Sequence, residues 1–342
     1  MFDLSSILNL PLIFGCVIAL AIFLYVFLDG FDLGVGILFP FAPSDDCRSK
    51  MMNSVAPFWD GNETWLVLGG GGLLAAFPLA YSIIMPAFYI PIIFMLLGLI
   101  FRGVAFEFRF KTESKKEQRI WDYSFHFGSL VATFFQGVML GAFIQGVKVD
   151  NMAFSGKAFD WLNAFSMMTG VALIFGYALL GSTWIIMKTH GKTQDWARHV
   201  AVYALIFVAF FTVLVSGWSP FLNEEIFYRW FVFSTPDIYY LASIPILTLL
   251  TFIFLIKSLR DKNEYRPFLL SMCLFILCYF GLAVSLFPYA VPYELSFEEA
   301  AAASTSLSLL FVGVALILPV ILCYTAFSYH VFRGKSSHEK MY

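Results

Sequence analysis

Residues 8–28 read LNLPLIFGCVIALAIFLYVFL, a stretch without a single charged side chain. A helix that crosses the hydrocarbon core of a bilayer needs about 20 consecutive apolar residues. The stretch therefore predicts a transmembrane helix, and the rest of the chain repeats the pattern. Comparable charge-poor runs follow at 64–80, 83–101, 123–146, 161–187, 200–217, 237–256, 267–287 and 304–329.

The composition of the 342 residues agrees with this pattern: 60% are apolar and 13% are charged. An average soluble domain carries about 25% charged residues. The low charge excludes an ordinary soluble protein, a disordered chain and a nucleic-acid binder. The 41 Phe residues argue against a porin-type barrel, whose strands alternate apolar and polar residues. We predict an all-α, polytopic integral membrane protein with about nine transmembrane helices.

The second run is short because its first turns are polar, and a start near Ser54 gives it full length, with Pro57 in the first turn. The count of nine suggests two four-helix bundles plus one extra helix within a single membrane domain, 1–342. The predicted parts are a first half with a polar cluster (1–146), a second half (147–290), and the ninth helix with a cytoplasmic tail (291–342).

The orientation follows from lysine and arginine, which are enriched in cytoplasmic segments. If the N-terminus lies outside, 17 of the 21 Lys and Arg residues fall in inner segments, and only Lys148, Lys157 and Arg229 fall in outer loops. We therefore predict a periplasmic N-terminus and a cytoplasmic C-terminus. The aromatic-rich segment 218–236 suits the outer membrane interface.

Four carboxylates interrupt the first two predicted helices. LDGFDLGVG places Asp29 and Asp32 three residues apart on one helix face, and FWDGNETW places Asp60 and Glu63 likewise. A charged side chain within a span costs about 2.5–3.5 kcal/mol on insertion scales, so such groups are commonly functional. Under the predicted orientation all four lie toward the cytoplasmic side.

Further polar residues fall in the same layer. Arg102 ends the third run, and Asp122 and His126 open the fourth. With Trp59 and Asn62 of the WDGN segment they form the predicted structural polar cluster: Trp59, Asn62, Arg102, Asp122 and His126.

The carboxylates outnumber the basic groups in this layer. Desolvation and mutual repulsion favour the protonated form of a carboxylate, so such groups can pass protons. Asp60, Glu63, Asp29 and Asp32 therefore predict a proton pathway that opens to the cytoplasm. The alternative is a set of helix-end charges at the headgroup level, with Arg102 paired to one carboxylate.

Redox ligands are scarce in the sequence. A b-type haem needs axial His or Met ligands, and of the five His residues only His126 falls within a predicted span. The five Cys residues form no CxxC motif, and no phosphate-binding loop or nucleophile motif occurs. We predict no catalytic residue, metal site or confidently bound cofactor in this chain.

Three segments together resemble a known family. FLDGFDLGVG (27–36), NSVAPFWDGNETWLVLGGGGLLAAFPLAY (53–81) and LIFRGVAFEFR (99–109) resemble subunit II of cytochrome bd-type quinol oxidases. The WDGNETW detail looks closest to the cyanide-insensitive branch, and the specific match covers roughly residues 24–145. Glu63 stands where other branches have Gln, which adds a carboxylate to this segment.

The resemblance implies a nine-helix subunit of the bacterial inner membrane that pairs with a haem-carrying subunit I. In that family subunit I holds the b-type and d-type haems and oxidises quinol, and oxygen is reduced to water with cytoplasmic protons. By motif, Asp60 resembles the carboxylate of a proton channel at the subunit interface. Asp29, Asp32, Arg102 and Asp122 match characteristic polar positions of the family.

The resemblance also allows a structural quinone, which the sequence does not place, and a small accessory subunit. Two alternatives stay open beside the oxidase subunit: a proton-coupled secondary transporter and a purely structural membrane partner. A transporter needs a midplane site between repeats with broken helices, whereas the polar residues here occupy one half and one layer.

Overall fold

The structure, a computed structural model, describes residues 8–112, 114–232 and 237–336. Helices account for most of these residues. They are α1 (Leu10–Leu38), α2 (Asp45–Val55), α3 (Trp59–Ala76), α4 (Pro78–Ala87), α5 (Tyr89–Arg109), α6 (Lys115–Gln145), α7 (Ala164–Lys188), α8 (Lys192–Trp218), α9 (Glu224–Phe231), α10 (Asp237–Arg260), α11 (Arg266–Leu286), α12 (Phe297–Ala300) and α13 (Ser304–Val331). Two antiparallel hairpins pair β1 (Val149–Asp150) with β2 (Ala153–Phe154) and β3 (Tyr289–Val291) with β4 (Leu295–Ser296).

The all-helical membrane fold is confirmed. Within the described ranges, eight helical segments are long and apolar enough to cross a membrane. They contain α1, α5, α6, α7, α8, α10, α11 and α13. The predicted count of nine is therefore approximate, and it depends on how the second predicted span is counted.

The second predicted span is broken into separate helices, and its predicted start near Ser54 is wrong. Ser54 belongs to α2, and a turn at 56–58 separates α2 from α3. Pro57 lacks the N–H that a continuous helix would use, and its ring would clash with the preceding turn. A second break falls at Phe77, whose backbone is non-helical, because Pro78 opens α4.

Two helix ends also differ from the predictions. Arg102 does not end its helix, because α5 continues to Arg109. Asp122 and His126 do not open theirs, because α6 begins at Lys115. The apolar run ends before Arg102, but arginine is a good helix former, so the helix continues for about two more turns.

The core is organised around α1, which packs against α3, α6 and α7. Its buried length includes the whole segment from Phe27 to Leu38. Gly98 of α5 and Gly128 of α6 allow these two helices to approach closely, since a Cβ on either residue would lie within 2.8 Å of the opposite backbone. The absence of a side chain at these two residues therefore allows α5 and α6 to pack closely.

The outer connections contain short ordered elements. The predicted interfacial segment 218–236 includes α9, whose Phe227, Tyr228 and Phe231 are exposed; its residues 233–236 lie outside the described ranges. The end of the predicted tail, 337–342, also lies outside them. The division into two four-helix halves stays a prediction.

Candidate proton-handling site

A buried arginine joins two of the predicted carboxylates. Arg102 Nη1 donates to Asp29 Oδ1 at 2.6 Å, and Arg102 Nη2 donates to Glu63 Oε1. The side chains of Arg102 and Asp29 are fully buried, whereas that of Glu63 is 28% exposed. Burying an isolated charge is strongly unfavourable, so this arginine needs its two carboxylates in place.

A second set of contacts surrounds Asp32. Asn62 Nδ2 donates to Asp32 Oδ2 at 2.7 Å and to the Leu28 carbonyl at 3.2 Å. The Tyr329 hydroxyl, from the last turn of α13, donates to Asn62 Oδ1 at 2.9 Å. Asp32 and Asn62 are both buried, so α1, α3 and α13 meet at a polar junction.

The spacing of these residues along their helices explains why their side chains lie close together. Tyr25, Asp29 and Asp32 recur at four- and three-residue intervals and share one face of α1. Asn62 and Glu63 stand in the first turns of α3, and Tyr329 stands near the end of α13. Asp29, Asp32, Asn62, Glu63 and Tyr329 therefore lie close together toward one end of the bundle.

Three further polar residues extend from this cluster toward the middle of the spans. The Tyr177 hydroxyl donates to Gln136 Oε1 at 2.8 Å, and Gln136 Nε2 donates to the Tyr25 hydroxyl at 2.6 Å. All three side chains are buried. Sequence reasoning missed them, although a glutamine within an apolar run of α6 was a signal, since buried amides need hydrogen-bond partners.

Asp122 and His126 lie elsewhere. Arg109 Nε donates to Asp122 Oδ1 at 2.5 Å, and Arg48 Nε lies 4.0 Å from Asp122 Oδ2. His126 is half-buried, with Nδ1 2.9 Å from the Ile37 carbonyl oxygen. The structure therefore places this pair in a separate group on α6 and does not bring it into contact with Asp29 or Asp32.

The remaining predicted site residues are split between core and surface. Trp59 stacks on Phe106 with ring centroids 5.1 Å apart. Asp60 is exposed and forms no ion pair within the described residues. It opens an exposed stripe along α3 at intervals of three and four residues, which we call the outer face of α3: Asp60, Thr64, Val67, Gly71 and Leu74.

No group of three or more His, Cys, Asp or Glu within the described ranges could hold a metal ion. His126 contacts a backbone carbonyl, whereas His190, His199 and His330 are exposed: His190 lies between α7 and α8, His199 within α8, and His330 in the last turn of α13.

Comparison with known proteins identifies the family. A family model described as cytochrome bd terminal oxidase subunit II matches residues 10–332. Cytochrome bd ubiquinol oxidase subunit 2 of Bacillus subtilis is 30% identical over 326 residues, which cover 92% of this chain and 94% of the relative. Cytochrome bd-I ubiquinol oxidase subunit 2 of Escherichia coli K12 is 29% identical, with 91% of each chain covered.

The fold is similar to that of a solved bd oxidase. A chain in the structure of bd oxidase from Geobacillus thermodenitrificans matches with a TM-score of 0.75 at 17% sequence identity, over 95% of this chain and 99% of that chain. The matches do not favour the transporter alternative, and they describe a multi-pass subunit of the bacterial inner membrane. The chain belongs to the cytochrome bd terminal oxidase subunit II family and is a subunit of a membrane-bound quinol oxidase that reduces oxygen.

Proposed function

We propose that this subunit supports subunit I and takes up cytoplasmic protons for the reduction of oxygen to water. One observation carries the proposal: Arg102 connects the partly exposed Glu63 carboxylate to the fully buried Asp29 carboxylate. Asp32 lies one turn further along α1. Protons need a series of closely spaced ionisable groups to cross a low-dielectric region, and this arrangement supplies one from the rim inward.

The proposed direction follows from the charges around the rim. The end of the bundle that carries Glu63 also carries Lys188, Arg198 and Lys335, each bonded to nearby backbone carbonyls. Basic residues concentrate on the cytoplasmic side of membrane proteins. We therefore assign this end to the cytoplasm and the N-terminus to the periplasm. A tag at each terminus, probed with protease in sealed inside-out vesicles, tests this assignment.

The outer face of α3 is the proposed contact with subunit I near the proton path. A carboxylate exposed to lipid is strongly unfavourable, so Asp60 calls for a protein or water contact. A Cβ atom added to Gly70 or Gly71 would meet nothing within 4 Å, which leaves room for an adjacent helix to approach. Asp60 would then lie between the subunits, beside the path that begins at Glu63.

Electron transfer belongs to the partner in this proposal. The b-type and d-type haems of subunit I supply quinol oxidation and oxygen reduction, and quinol and oxygen meet the complex there. This chain contributes packing, a dry interior and protonatable groups. A structural quinone and a small accessory subunit are further proposals, which quinone extraction and native mass spectrometry of the purified complex test.

The experiment uses the complete complex reconstituted in liposomes. Glu63→Gln keeps the shape of the side chain but removes its ability to carry a proton, and it leaves Arg102 bonded to Asp29. We expect slower quinol-driven oxygen uptake, about tenfold, and a steeper loss of activity toward high pH. The matched control is Glu107→Gln, because Glu107 lies on α5 and is exposed in an ion pair with Lys111.

The purely structural alternative predicts a different result. If the carboxylates only hold subunits together, Glu63→Gln, Asp60→Asn and Asp32→Asn would change the yield of haem-containing complex but not the pH profile of the complex that assembles. An unchanged profile in all three variants, with a normal haem spectrum, would exclude the proton role.

A further inference from the structure

We propose that Tyr329 is a positioning residue that sets, through Asn62, how strongly Asp32 binds a proton. This role rests on the proposed proton role of Asp32 and adds a residue from the last helix that the sequence did not indicate. The Tyr329 hydroxyl donates to the Asn62 amide oxygen, and the nitrogen of the same amide donates to Asp32. Tyr329 therefore acts on Asp32 through the amide between them.

The Asn62 amide is fully engaged on both sides. Its nitrogen donates to Asp32 Oδ2 and to the Leu28 carbonyl, and its oxygen accepts the Tyr329 hydroxyl. Asn62 is 2% exposed, so water does not compensate for a lost partner. The tyrosine therefore fixes which end of the amide faces the carboxyl group.

Tyr329 is itself held firmly. Its ring stacks on Phe58 at 4.4 Å between centroids, and it meets the ring of Phe31 edge-on at 6.4 Å. Beyond it the chain is tied down, because Lys188 Nζ donates to the carbonyls of Phe332 and Gly334. The hydroxyl is therefore presented to Asn62 at a defined position, as positioning requires.

Asp32 depends on this amide more than its neighbours do. The charged groups that act on it are Asp29 on its own helix, Glu63 on α3 and Arg102 on α5, and Tyr329 is the titratable group from α13. Arg102 donates to the other two carboxylates. Within the described residues Asp32 receives a hydrogen bond from Asn62 alone, and its Oδ1 has no partner.

The direction of the effect follows from hydrogen-bond chemistry. An N–H that donates to a carboxylate favours its ionised form. Donation from Tyr329 to the amide oxygen polarises the amide and strengthens that N–H. Without the hydroxyl, the Asn62 amide oxygen has no hydrogen-bond donor. The amide is then free to rotate so that its oxygen faces Asp32, and only a protonated Asp32 can donate to that oxygen.

The test is the pH profile of quinol-driven oxygen uptake by the complete oxidase. In Tyr329→Phe, Asp32 should retain its proton to higher pH. The alkaline limb of the activity profile should therefore move to higher pH by about half to one pH unit, the effect of one hydrogen bond. Tyr324→Phe is the matched control, because Tyr324 lies on the same helix and is 71% exposed. Its profile should remain that of the unmodified complex.

An infrared measurement separates this inference from the proposed function. Asp32→Asn identifies the carboxyl band of Asp32, whose titration is then followed in Tyr329→Phe. A shifted band with an unchanged activity profile in Asp32→Asn would support the inference and reject the proton role of Asp32. A band that titrates as in the unmodified complex, or no Asp32 band in either protein, overturns the inference.

A double-mutant cycle covers the case in which Tyr329→Phe does not assemble well. Asn62→Leu removes the amide altogether and should move the Asp32 band in the same direction. If Tyr329 acts through Asn62, adding Tyr329→Phe to Asn62→Leu changes the band no further. A shift that is absent in Asn62→Leu, or fully additive in the double variant, contradicts the inference.

Discussion

Gly34 of α1 and Gly181 of α7 lie with their backbones in contact. A Cβ atom added to Gly34 would lie 2.9 Å from the Gly181 nitrogen, and one added to Gly181 would lie 2.8 Å from the Gly34 Cα. This crossing also seats the Tyr177 ring against Gly30. The glycine contact thus places Tyr177 beside the helix face that carries Asp29.

The crossing predicts that even one methyl group will damage the subunit. We expect Gly34→Ala and Gly181→Ala each to destabilise the complex by about 1–3 kcal/mol, the usual effect of overpacking a close contact. Thermal unfolding of the detergent-purified complex, followed by haem absorption, measures this. Gly217→Ala is the control, since a Cβ there meets nothing within 4 Å; equal losses in all three would contradict the packing argument.

Arg102 should be more important than the carboxylates it binds. Arg102→Met leaves Asp29 fully buried and without its cation, which costs about 3–5 kcal/mol for a broken buried ion pair. We expect little assembled complex, measured as haem per unit of membrane protein. The triple variant Arg102→Met, Asp29→Asn, Glu63→Gln removes the uncompensated charges and should recover assembly but not proton uptake. No recovery would show that Arg102 has a role besides charge compensation.

The sequence predicted the carboxylate positions because spacing on a helix is local information. Asp29 and Asp32, and likewise Asp60 and Glu63, are three residues apart and were expected to share a helix face, and opposite helix directions were expected to bring the two pairs to one side. Helix boundaries were predicted less well, because hydropathy registers the charge of Arg102 but not the ion pairs that neutralise it.

Tertiary partners could not be predicted in the same way. Tyr177 and Tyr329 are two of 16 tyrosines in the chain, and nothing local distinguishes them from the exposed Tyr324. Their hydrogen bonds depend on how α7 and α13 pack against the helices that carry Gln136 and Asn62. The segregation of Asp122 from the buried cluster has the same origin, since Arg109 and Arg48 attract it to the rim.

Gln136 is expected to stabilise the interior as part of a set. Gln136→Leu leaves the hydroxyls of Tyr25 and Tyr177 without their buried partner, which costs about 1–3 kcal/mol. The triple variant with Tyr25→Phe and Tyr177→Phe also removes the two hydroxyls that lose the Gln136 amide, and it should be more stable than Gln136→Leu alone. Chemical unfolding of the unmodified, single-variant and triple-variant proteins in one detergent provides the comparison. A triple variant less stable than the single one would show that the tyrosines contribute mainly by other contacts.

The C-terminal segment, residues 332–336, should bind less stably to the rest of the chain at low pH. The Lys335 ammonium donates to Glu264 Oε2 at 2.9 Å and, with the Gln194 amide, holds the pKa of Glu264 below its usual range. The lowered pKa of Glu264 stabilises the docked segment at pH values above the ordinary glutamate pKa of about 4.3. This contribution to stability disappears as the pH falls through the lowered pKa.

Hydrogen exchange of residues 332–336, corrected for the intrinsic pH effect, measures this docking. We expect faster exchange below that pH, and faster exchange at neutral pH in Lys335→Met. Lys257→Met, at the end of α10, is the control. Exchange in Lys335→Met that equals the control would mean that Ser336, which bonds Lys188 and Lys50 backbone carbonyls, holds the segment by itself.

The outer face of α3 should tolerate no bulk if subunit I covers it. Gly71→Leu adds a side chain where this chain has only open space, so the subunit should fold, yet the partner helix would be displaced.

We expect at least a roughly tenfold drop in the subunit I and haem that copurify with a tagged subunit II, the loss that about 1.4 kcal/mol of binding free energy produces. Gly217→Leu on α8 makes the same chemical change at another open glycine and should leave copurification intact. Replacing glycine by leucine makes an isolated helix more stable. A loss of copurification that occurs only in Gly71→Leu therefore cannot come from helix propensity. Unchanged copurification in Gly71→Leu would place the partner on another face and leave Asp60 in contact with lipid headgroups or water.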